Sequence, residues 1–363
     1  MRIAYVTLHW PRAKASSIGR KILLQNREWV KHGHTVQYFS HMHSVEDESA
    51  LIPGERFIFQ NGQSIVKREI SRIRAAKKLV DAVGSFAPDV IYLRWSMYVL
   101  PIHQIFSIAP VVIEVNTNDV EEHRLLGWPM HVYNLLTRSI LFKNAGGHVF
   151  TTTELAREAV FAKFGKPFVV VTNGIDLEAT PFYPAPNNTP PRLLFIGTPG
   201  MPWHGLDKLL AFGSENLDIR IEIAGMEQAE AGGKTPENVH FHGYLAGDAY
   251  EDVLKNADLA IGTMALHRKN MDEAAPLKIR DCAARGIPCI LPYTDTDLDD
   301  IASEAILKIP NHPDNIRENT GAIREFAFSV RGKRVPRNLI RNRLDISIKE
   351  KARLKFLQNI ASL

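Results

Sequence analysis

The sequence is poor in cysteine: only Cys282 and Cys289 occur among its 363 residues, and neither belongs to a CxxC pair. This shortage excludes a disulfide scaffold, and we expect both thiols to be buried and reduced. No window approaches the roughly 18 uncharged apolar residues that a membrane-spanning helix needs. The first apolar run, over 3–8, has no small-residue cleavage site after it. We therefore expect a β-strand there, not a signal peptide, and a cytoplasmic chain.

Several motifs that would define a chemistry are also missing. The chain has neither a G-x-S-x-G nucleophile elbow nor a P-loop. The turn after the first predicted strand contains Gly19 but not the G-x-G-x-x-G spacing of a dinucleotide site, which argues against a dehydrogenase. The 14 histidines are scattered without metal-ligand spacing. Asp295 and Asp297 resemble an acidic metal pair, but they lack a third ligand, so we expect a solvated helix cap and no metal.

What the sequence does contain is typical of a globular protein, with 45% hydrophobic and 23% charged residues. At about 150 residues per domain, the length favours two domains. Residues 1–172 hold 21 Lys and Arg against 14 Asp and Glu, 173–330 hold 13 against 24, and 331–363 hold 10 against 2. Two basic ends around an acidic middle indicate that the last segment folds back onto the first domain.

Short Val- and Ile-rich runs alternate with amphipathic stretches, which predicts βαβ units and parallel sheets. In the first half, strands are predicted over 3–8, 35–39, 90–93, 111–115, 147–151 and 168–171, and helices over 21–31, 69–86 and 154–164. In the second half, strands are predicted over 193–196, 220–224, 239–242, 259–262 and 288–291. The Pro- and Asn-rich stretch 180–191 is the predicted linker.

These patterns predict an α/β protein with two Rossmann-like, doubly wound domains. We expect the first domain over 1–172 and the second over 173–335. A helical pattern over 336–363 is expected to cross back and pack on the first domain.

Ligands bind an open parallel sheet beyond the carboxyl ends of its strands, so the loops after the strands hold the candidate sites. After the strand over 193–196 comes a Gly- and Pro-rich loop, 197–205, whose amides suit a phosphate, although plain turns share this composition. The segment 272–288 places Glu273 at the start of a helix and both Lys278 and Asp281 on one helix face. An ordinary amphipathic helix with a favourably placed acid also explains that pattern.

In the first domain, polar residues follow two strand ends. Arg94 follows one, and Asn116, Asn118 and Asp119 follow another. If these groups lie together at one edge of the sheet, they indicate a binding site more strongly than any one of them does alone. A basic helix over 67–78 fits an anionic lipid surface, a nucleic acid or a solvated helix face. We expect weak contact with an anionic membrane surface, on its cytoplasmic side, and no nucleic-acid partner.

The order and spacing of these segments resemble those of the retaining glycosyltransferases of family 4, which have the GT-B architecture. The resemblance covers nearly the whole chain. It rests on VTNGID at 171–176, FIG at 195–197, PWHG at 202–205, IAG at 223–225, VHFHG at 239–243, ADL at 257–259 and the segment 273–288. It implies transfer of a hexose from a nucleotide sugar, expected to be UDP-linked, to a glycan or lipid-linked acceptor in polysaccharide or envelope synthesis. The nucleotide sugar is a co-substrate, and no cofactor or metal is expected.

The resemblance also implies roles for individual residues. Glu273 would contact the donor sugar, and Asp281 the ribose hydroxyls. His204 and Lys278 would be cations that steady the departing diphosphate. The remaining expected donor contacts are backbone at Gly19, Gly197, Thr198, Gly225, Gly243, Ala275, Pro276 and Leu277, with the base near Gly225 and Gly243. Asn116 is expected at the reacting centre, and Arg94, Asn118 and Asp119 on the acceptor side.

The chain departs from the family pattern at several of these positions. Thr198 and His204 stand where many members have Arg and Lys, so the phosphate contacts depend more on Lys278. Asp281 is one methylene shorter than the usual Glu. Asn116 occupies the place of a His, for which His123 is a poorer substitute.

Two other interpretations stay open. A nucleotide-sugar epimerase or an inverting transferase has the same architecture. A catalytically degenerate sugar-nucleotide-binding protein would also explain the missing Arg and Lys.

Overall fold

The computed structural model describes residues 1–8, 16–44, 51–59, 64–299, 301 and 304–362. The chain forms two compact units. Unit 1 consists of Met1–Thr172 together with Ile346–Leu363, and unit 2 of Asn173–Asp345. Each unit is an α/β domain built on one parallel sheet.

Strands and α-helices alternate along much of the chain, as βαβ units require. The strands are β1 (Arg2–Thr7), β2 (Thr35–His43), β3 (Glu55–Phe59), β4 (Val90–Arg94), β5 (Val111–Val115), β6 (Gly147–Phe150), β7 (Phe168–Val170), β8 (Arg192–Ile196), β9 (Arg220–Ala224), β10 (Val239–Phe241), β11 (Leu259–Ile261), β12 (Cys289–Leu291) and β13 (Ile306–Lys308). The α-helices are α1 (Ser17–Lys31), α2 (Ile65–Phe86), α3 (Asp119–Leu126), α4 (Trp128–Asn144), α5 (Thr153–Ala156), α6 (Ala159–Phe164), α7 (Leu206–Glu215), α8 (Gly247–Lys255), α9 (Leu277–Ala284), α10 (Asn315–Glu318), α11 (Thr320–Ser329), α12 (Arg337–Leu344) and α13 (Ile346–Ala361).

Both sheets reverse their strand order beside the first strand of the unit. The order is β3-β2-β1-β4-β5-β6-β7 in unit 1 and β10-β9-β8-β11-β12-β13 in unit 2. The reversal between β1 and β4, and between β8 and β11, creates the crevice at which open α/β sheets bind ligands. The prediction of two Rossmann-like, doubly wound domains is therefore confirmed.

The core of unit 1 contains a group of packed aromatic rings. Tyr5 of β1 lies 5.7 Å from Trp29 of α1 and 5.2 Å from Tyr92 of β4, measured between ring centroids. All three rings are buried because helices cover both faces of the parallel sheet. Helix α13 completes this core. A Cβ atom on Gly147 of β6 would lie 2.8 Å from Phe356 Cζ, so strand and helix are in direct contact there.

The core of unit 2 lies between its sheet and the helices α7 and α11. Phe195 of β8 and Ile223 of β9 pack with Phe212 of α7 and Ile323 of α11. Cys282 and Cys289 are buried and free in this unit, as their apolar surroundings predict.

The last segment differs from its prediction as one continuous helix over 336–363. Helix α12 ends at Leu344, Asp345 is extended, and α13 begins at Ile346. The backbone of unit 2 holds α12, because the amide of Ile175 donates to the carbonyl of Leu344 at 2.7 Å and Arg337 donates to the carbonyl of Ala284 at 3.3 Å. Only α13 belongs to unit 1, so the crossing point is Asp345, not residue 335.

The predicted linker over 180–191 is also corrected. This stretch belongs to unit 2, where the side-chain amide of Asn188 donates to Asp258 at 2.8 Å. The chain leaves unit 1 directly after Thr172. A Pro- and Asn-rich composition indicates irregular backbone, but irregular backbone also packs on a domain surface.

Candidate active site

The strand ends at the reversal point of unit 2 bring several predicted residues together. Gly197 and Thr198 follow β8, and the N-terminal turn of α9 approaches them through Lys278. The Lys278 ammonium donates to the Gly197 carbonyl at 2.7 Å and to the Thr198 hydroxyl at 2.8 Å. The Lys278 side chain is therefore hydrogen-bonded to the loop after β8, at the place where this fold favours ligand binding.

Lys278 has only neutral oxygen partners within the described part of unit 2. Burial lowers the pKa of Lys278 from 10.5 to about 8, and no carboxylate opposes this effect. Lys278 is partly buried, and an ammonium that is partly removed from water without an ion-pair partner is costly. An anionic group bound beside it would relieve that cost, so the site favours a phosphate electrostatically.

His204 is neutral, not the cation we expected. The amide of Thr198 donates to His204 Nδ1 at 3.1 Å, so this nitrogen acts as an acceptor. Burial, with Lys278 and Lys269 nearby, lowers the pKa of His204 to about 3. A neutral imidazole with Nδ1 accepting carries its proton on Nε2. His204 can therefore offer a phosphate a hydrogen bond but no charge at neutral pH.

The segment before α9 is held rigidly by backbone pairing. Glu273 forms a parallel β-bridge with Thr294, and the next amide, of Ala274, donates to the Thr294 carbonyl at 3.0 Å. The Asn173 side chain donates to the Ala275 carbonyl at 2.6 Å. This pairing holds the backbone of the partly exposed Glu273 in an extended segment four residues before α9, so Glu273 precedes the helix and does not lie at its start as predicted.

The start of α9 offers fewer amide donors than expected. Pro276 is the residue that precedes the helix, and proline has no N–H group. The predicted phosphate contacts at this turn therefore reduce to Ala275 and Leu277. The positive end of the helix dipole lies at the same turn, next to Lys278.

Asp281 is buried and already engaged inside unit 2. Its Oδ1 accepts from Arg285 at 2.5 Å and its Oδ2 accepts from the hydroxyl of Tyr250 at 3.0 Å. Arg285 also bonds Glu251, at 2.6 Å. Tyr250 and Arg285 therefore hold the carboxylate of Asp281 in place. Its contact with ribose stays a prediction.

Three glycines bring the ends of β8, β9 and β10 close together. The amide of Gly225 donates to the Gly243 carbonyl at 2.6 Å. Gly225 has φ of +82°, and a Cβ atom there would lie 2.7 Å from the carbonyl oxygen of Gly197. This packing alone requires glycine at 225. The predicted contact of the base with Gly225 and Gly243 (φ +63°) therefore remains a prediction.

In unit 1, Arg94 and Asn116 join a buried charge cluster. Lys21 Nζ lies 2.6 Å from Glu114 Oε1 and 3.2 Å from Asn116 Oδ1, and Arg94 lies 3.0 Å from Glu114 Oε2. Burial would raise the pKa of Glu114, but Lys21 and Arg94 hold it well below its usual range. Burial lowers the pKa of Lys21 to about 8. Gly19 lies buried two residues before Lys21 on α1.

Sequence reasoning missed Lys21 and Glu114. The available signals were a lysine at the start of an apolar helix run and a glutamate inside the apolar strand β5.

Asn118 and Asp119 have structural roles that the sequence did not reveal. Asn118 caps α3, because its side chain accepts from the amide of Glu121 at 3.1 Å. Asp119 is buried, with both oxygens bonded to Arg138 at 2.6 Å and one also bonded to Asn134 at 2.7 Å. We therefore withdraw Asp119 from the acceptor side, since Arg138 and Asn134 already satisfy it.

Asp295 and Asp297 are not a solvated cap. Asp295 is fully buried, and the two carboxylates each lie 2.6 Å from Arg280. Arg280 also donates to the Asn173 carbonyl at 2.6 Å, so the cluster connects α9 to the first residue of unit 2.

Among the described residues, no three metal-ligating side chains come together. Within the same residues, no helix combines the length and apolar character needed to cross a bilayer.

Comparisons with known proteins identify the fold. No protein-family model and no curated protein sequence matches the chain. Sucrose-phosphate synthase from Thermosynechococcus elongatus has a TM-score of 0.70 at 14% identity, with 100% of both chains covered. An alpha-glucosyltransferase in complex with UDP has a TM-score of 0.64 at 11% identity, covering 99% of this chain and 100% of that chain.

A third similar structure is described as an epimerase and not as a transferase. The putative UDP-N-acetylglucosamine 2-epimerase from Listeria monocytogenes has a TM-score of 0.57 at 13% identity, covering 98% of this chain and 95% of that one. At these identities the likeness shows the fold, which is that of the GT-B glycosyltransferases, and leaves the reaction to be argued from the site.

Proposed function

We propose that the protein is a retaining glycosyltransferase that moves a hexose from a UDP-linked sugar to a glycan or lipid-linked acceptor in polysaccharide or envelope synthesis. One observation carries the proposal: the partly buried ammonium of Lys278 has only neutral partners and lies at the reversal point of unit 2. A diphosphate is the anion that this position fits best. The full-length fold likeness to an alpha-glucosyltransferase in complex with UDP supports the same ligand class.

The chemistry needs charge stabilisation more than it needs a protein nucleophile. When the bond between the anomeric carbon and the donor phosphate oxygen breaks, negative charge grows on the diphosphate. Lys278, the amides of Ala275 and Leu277 and the Nε2 proton of His204 would take up that charge. Glu273 would bind the donor sugar hydroxyls. The leaving phosphate would accept the proton of the attacking hydroxyl on the same face, so the anomeric configuration is kept and no metal is required.

Replacement of Glu273 tests the assignment. We expect Glu273→Ala to abolish transfer and donor hydrolysis while UDP still binds, because Lys278 and the amides of α9 are unchanged. Glu304→Ala, an exposed acid in the same unit, is the matched control and should keep full activity. Near-normal turnover by Glu273→Ala would refute the proposal. The donor is first identified by a melting-temperature screen against UDP, GDP and ADP sugars.

An epimerase is the second candidate, favoured by the fold likeness to the Listeria protein. It would use the same diphosphate site but needs no acceptor. Incubation with the donor alone separates the two, because an epimerase produces a second nucleotide sugar and a transferase does not. Anomer analysis of the product separates retaining from inverting transfer, and binding of the donor without turnover would identify a degenerate protein.

A further inference from the structure

A cationic groove lies on unit 1, and none of its lining residues is among those assigned above. It has a volume of about 640 Å³ and runs between the edge strand β3 and the helix α2. Four cations line it: Arg56 from β3, and Lys67, Arg74 and Lys78 from α2. No acidic residue lines it among the described residues.

The three α2 cations share one helix face. Lys67, Arg74 and Lys78 are spaced by seven and four residues, which places them one above another. The acids of α2 do not neutralise them, because Glu69 lies 3.3 Å from Arg72 and Asp81 pairs with Lys77. The groove therefore keeps a concentrated positive charge.

Exposed aliphatic side chains border these cations. Val66 and Ile70, in the first two turns of α2, are 68% and 44% exposed, and Ile58 of β3 is 38% exposed. Ile58 and Ile70 line the groove itself. Single exposed apolar residues need no explanation, but a cluster of them among cations indicates a surface that is covered in function.

The charge of the whole unit has the same sign. Unit 1 holds 25 Lys and Arg against 15 Asp and Glu, whereas unit 2 holds 19 against 25. A net charge of +10 on unit 1 attracts an anionic surface over roughly a Debye length, about 8 Å at physiological salt. The groove concentrates this attraction at one place.

We propose that the groove between β3 and α2 docks unit 1 onto an anionic lipid bilayer. Arg56, Lys67, Arg74 and Lys78 bind lipid phosphates, while Ile58, Val66 and Ile70 enter the boundary between headgroups and acyl chains. A soluble polyanion such as nucleic acid would satisfy the cations but would leave the aliphatic side chains in water. An anionic bilayer offers phosphates to the cations and an apolar environment to the aliphatic side chains, so it is the partner that fits both groups. The proposal is independent of the reaction proposed for unit 2.

The test is co-sedimentation of the full-length protein with vesicles. One vesicle population contains phosphatidylcholine with about 30% phosphatidylglycerol, and the other contains phosphatidylcholine only. We expect sedimentation with the anionic vesicles alone, weakened by salt. The variant Lys67→Gln/Arg74→Gln/Lys78→Gln should bind at least about tenfold more weakly. Val66→Ser/Ile70→Ser should lose the binding that persists at high salt.

A matched variant separates the groove from net charge. Lys143→Gln/Lys163→Gln/Lys351→Gln removes three exposed cations of the same unit outside the groove and should bind anionic vesicles nearly as well as the original protein. Equal loss by both triple variants would overturn the proposal, as would a failure of the original protein to sediment. Groove-dependent binding to duplex DNA or heparin without vesicle binding would overturn it in favour of a soluble polyanion. Melting curves verify that every variant is folded.

Discussion

At the scale of single residues, burial and local donors set the charge of the candidate site. Lys278 and His204 lie in one hydrogen-bonded group through Thr198, yet they differ in protonation. Lys278, with a pKa of about 8, is mainly charged at neutral pH, whereas His204, with a pKa of about 3, is neutral. The site therefore offers one positive charge and one neutral donor to a ligand.

This arrangement predicts a specific pH dependence for nucleotide binding. The ammonium of Lys278 loses its proton as the pH rises through about 8, and the charge that attracts the diphosphate is lost with it. We expect the affinity for UDP to be nearly constant from pH 7 to 7.5 and to fall by up to about tenfold per pH unit above 8. Isothermal titration calorimetry across this range measures the change.

Two variants identify the group responsible. Lys278→Met should bind UDP weakly, with an affinity that does not change between pH 7 and 9. Lys255→Met, at an exposed lysine of the same unit, should behave like the original protein. A pH-independent affinity in the original protein would show that Lys278 does not face the diphosphate.

Sequence reasoning predicted which residues lie near the site better than it predicted their protonation and their hydrogen-bond partners. Glu273 and Lys278 were identifiable from their positions around a helix start. The neutral state of His204 was not, because it depends on burial and on an amide donor. Asp119 was assigned to the wrong role for the same reason, since its partner Arg138 lies 19 residues away and pairs with it only in the folded unit. Lys21 and Glu114 are 93 residues apart, so no local pattern connects them.

At the scale of elements, strands with an apolar run were predictable, including the short edge strands β7 and β10, whereas the edge strands β3 and β13 were not. Strand β3 has four residues that are exposed or only partly buried, so it lacks the apolar run of a central strand. Strand β13 has three residues, none fully buried. The break between α12 and α13 was equally hidden, because the apolar pattern continues through Asp345 and only contacts with unit 2 end α12 there.

Helix α13 attaches to unit 1 through a buried ion pair as well as through apolar contacts. Arg353 is fully buried, pairs with Glu350 and donates to the Val171 carbonyl at 3.2 Å. The Trp29 indole donates to the other oxygen of Glu350 at 2.8 Å. Removing one partner leaves an uncompensated buried carboxylate.

We therefore expect Arg353→Met to destabilise unit 1 by about 3–5 kcal/mol. Lys355→Met, at an exposed position of the same helix, should change the free energy of unfolding by less than about 0.5 kcal/mol. Urea unfolding followed by tryptophan fluorescence suits this measurement because four of the five tryptophans belong to unit 1. Similar midpoints for the two variants would mean that the ion pair does not anchor α13.

At the scale of the whole molecule, two units with separate cores and opposite net charges share one chain. The alternation of strand and helix patterns was enough to predict both domains, since each βαβ unit leaves a local signature. The residue at which the chain returns to unit 1, Asp345, could not be predicted from these patterns. Separate cores predict separate unfolding transitions.

Calorimetry of the full chain should resolve one transition for each unit. UDP at about 100 times its dissociation constant should stabilise the unit 2 transition by roughly 2.7 kcal/mol. The unit 1 transition should shift less, because only the expected contact at Gly19 lies there. Arg353→Met should lower only the unit 1 transition, which assigns the two peaks. A UDP-induced shift of the unit 1 peak without a shift of the unit 2 peak would contradict the placement of the nucleotide on Lys278.

The discontinuity of unit 1 has a consequence for biosynthesis. A ribosome makes 5–20 residues per second, so about ten to thirty seconds separate the synthesis of residue 172 from that of residue 346. During this interval the nascent sheet of unit 1 lacks the helix that covers Gly147, because the whole of unit 2 is synthesised first. Translation products truncated before α13 would expose that uncovered face of the sheet.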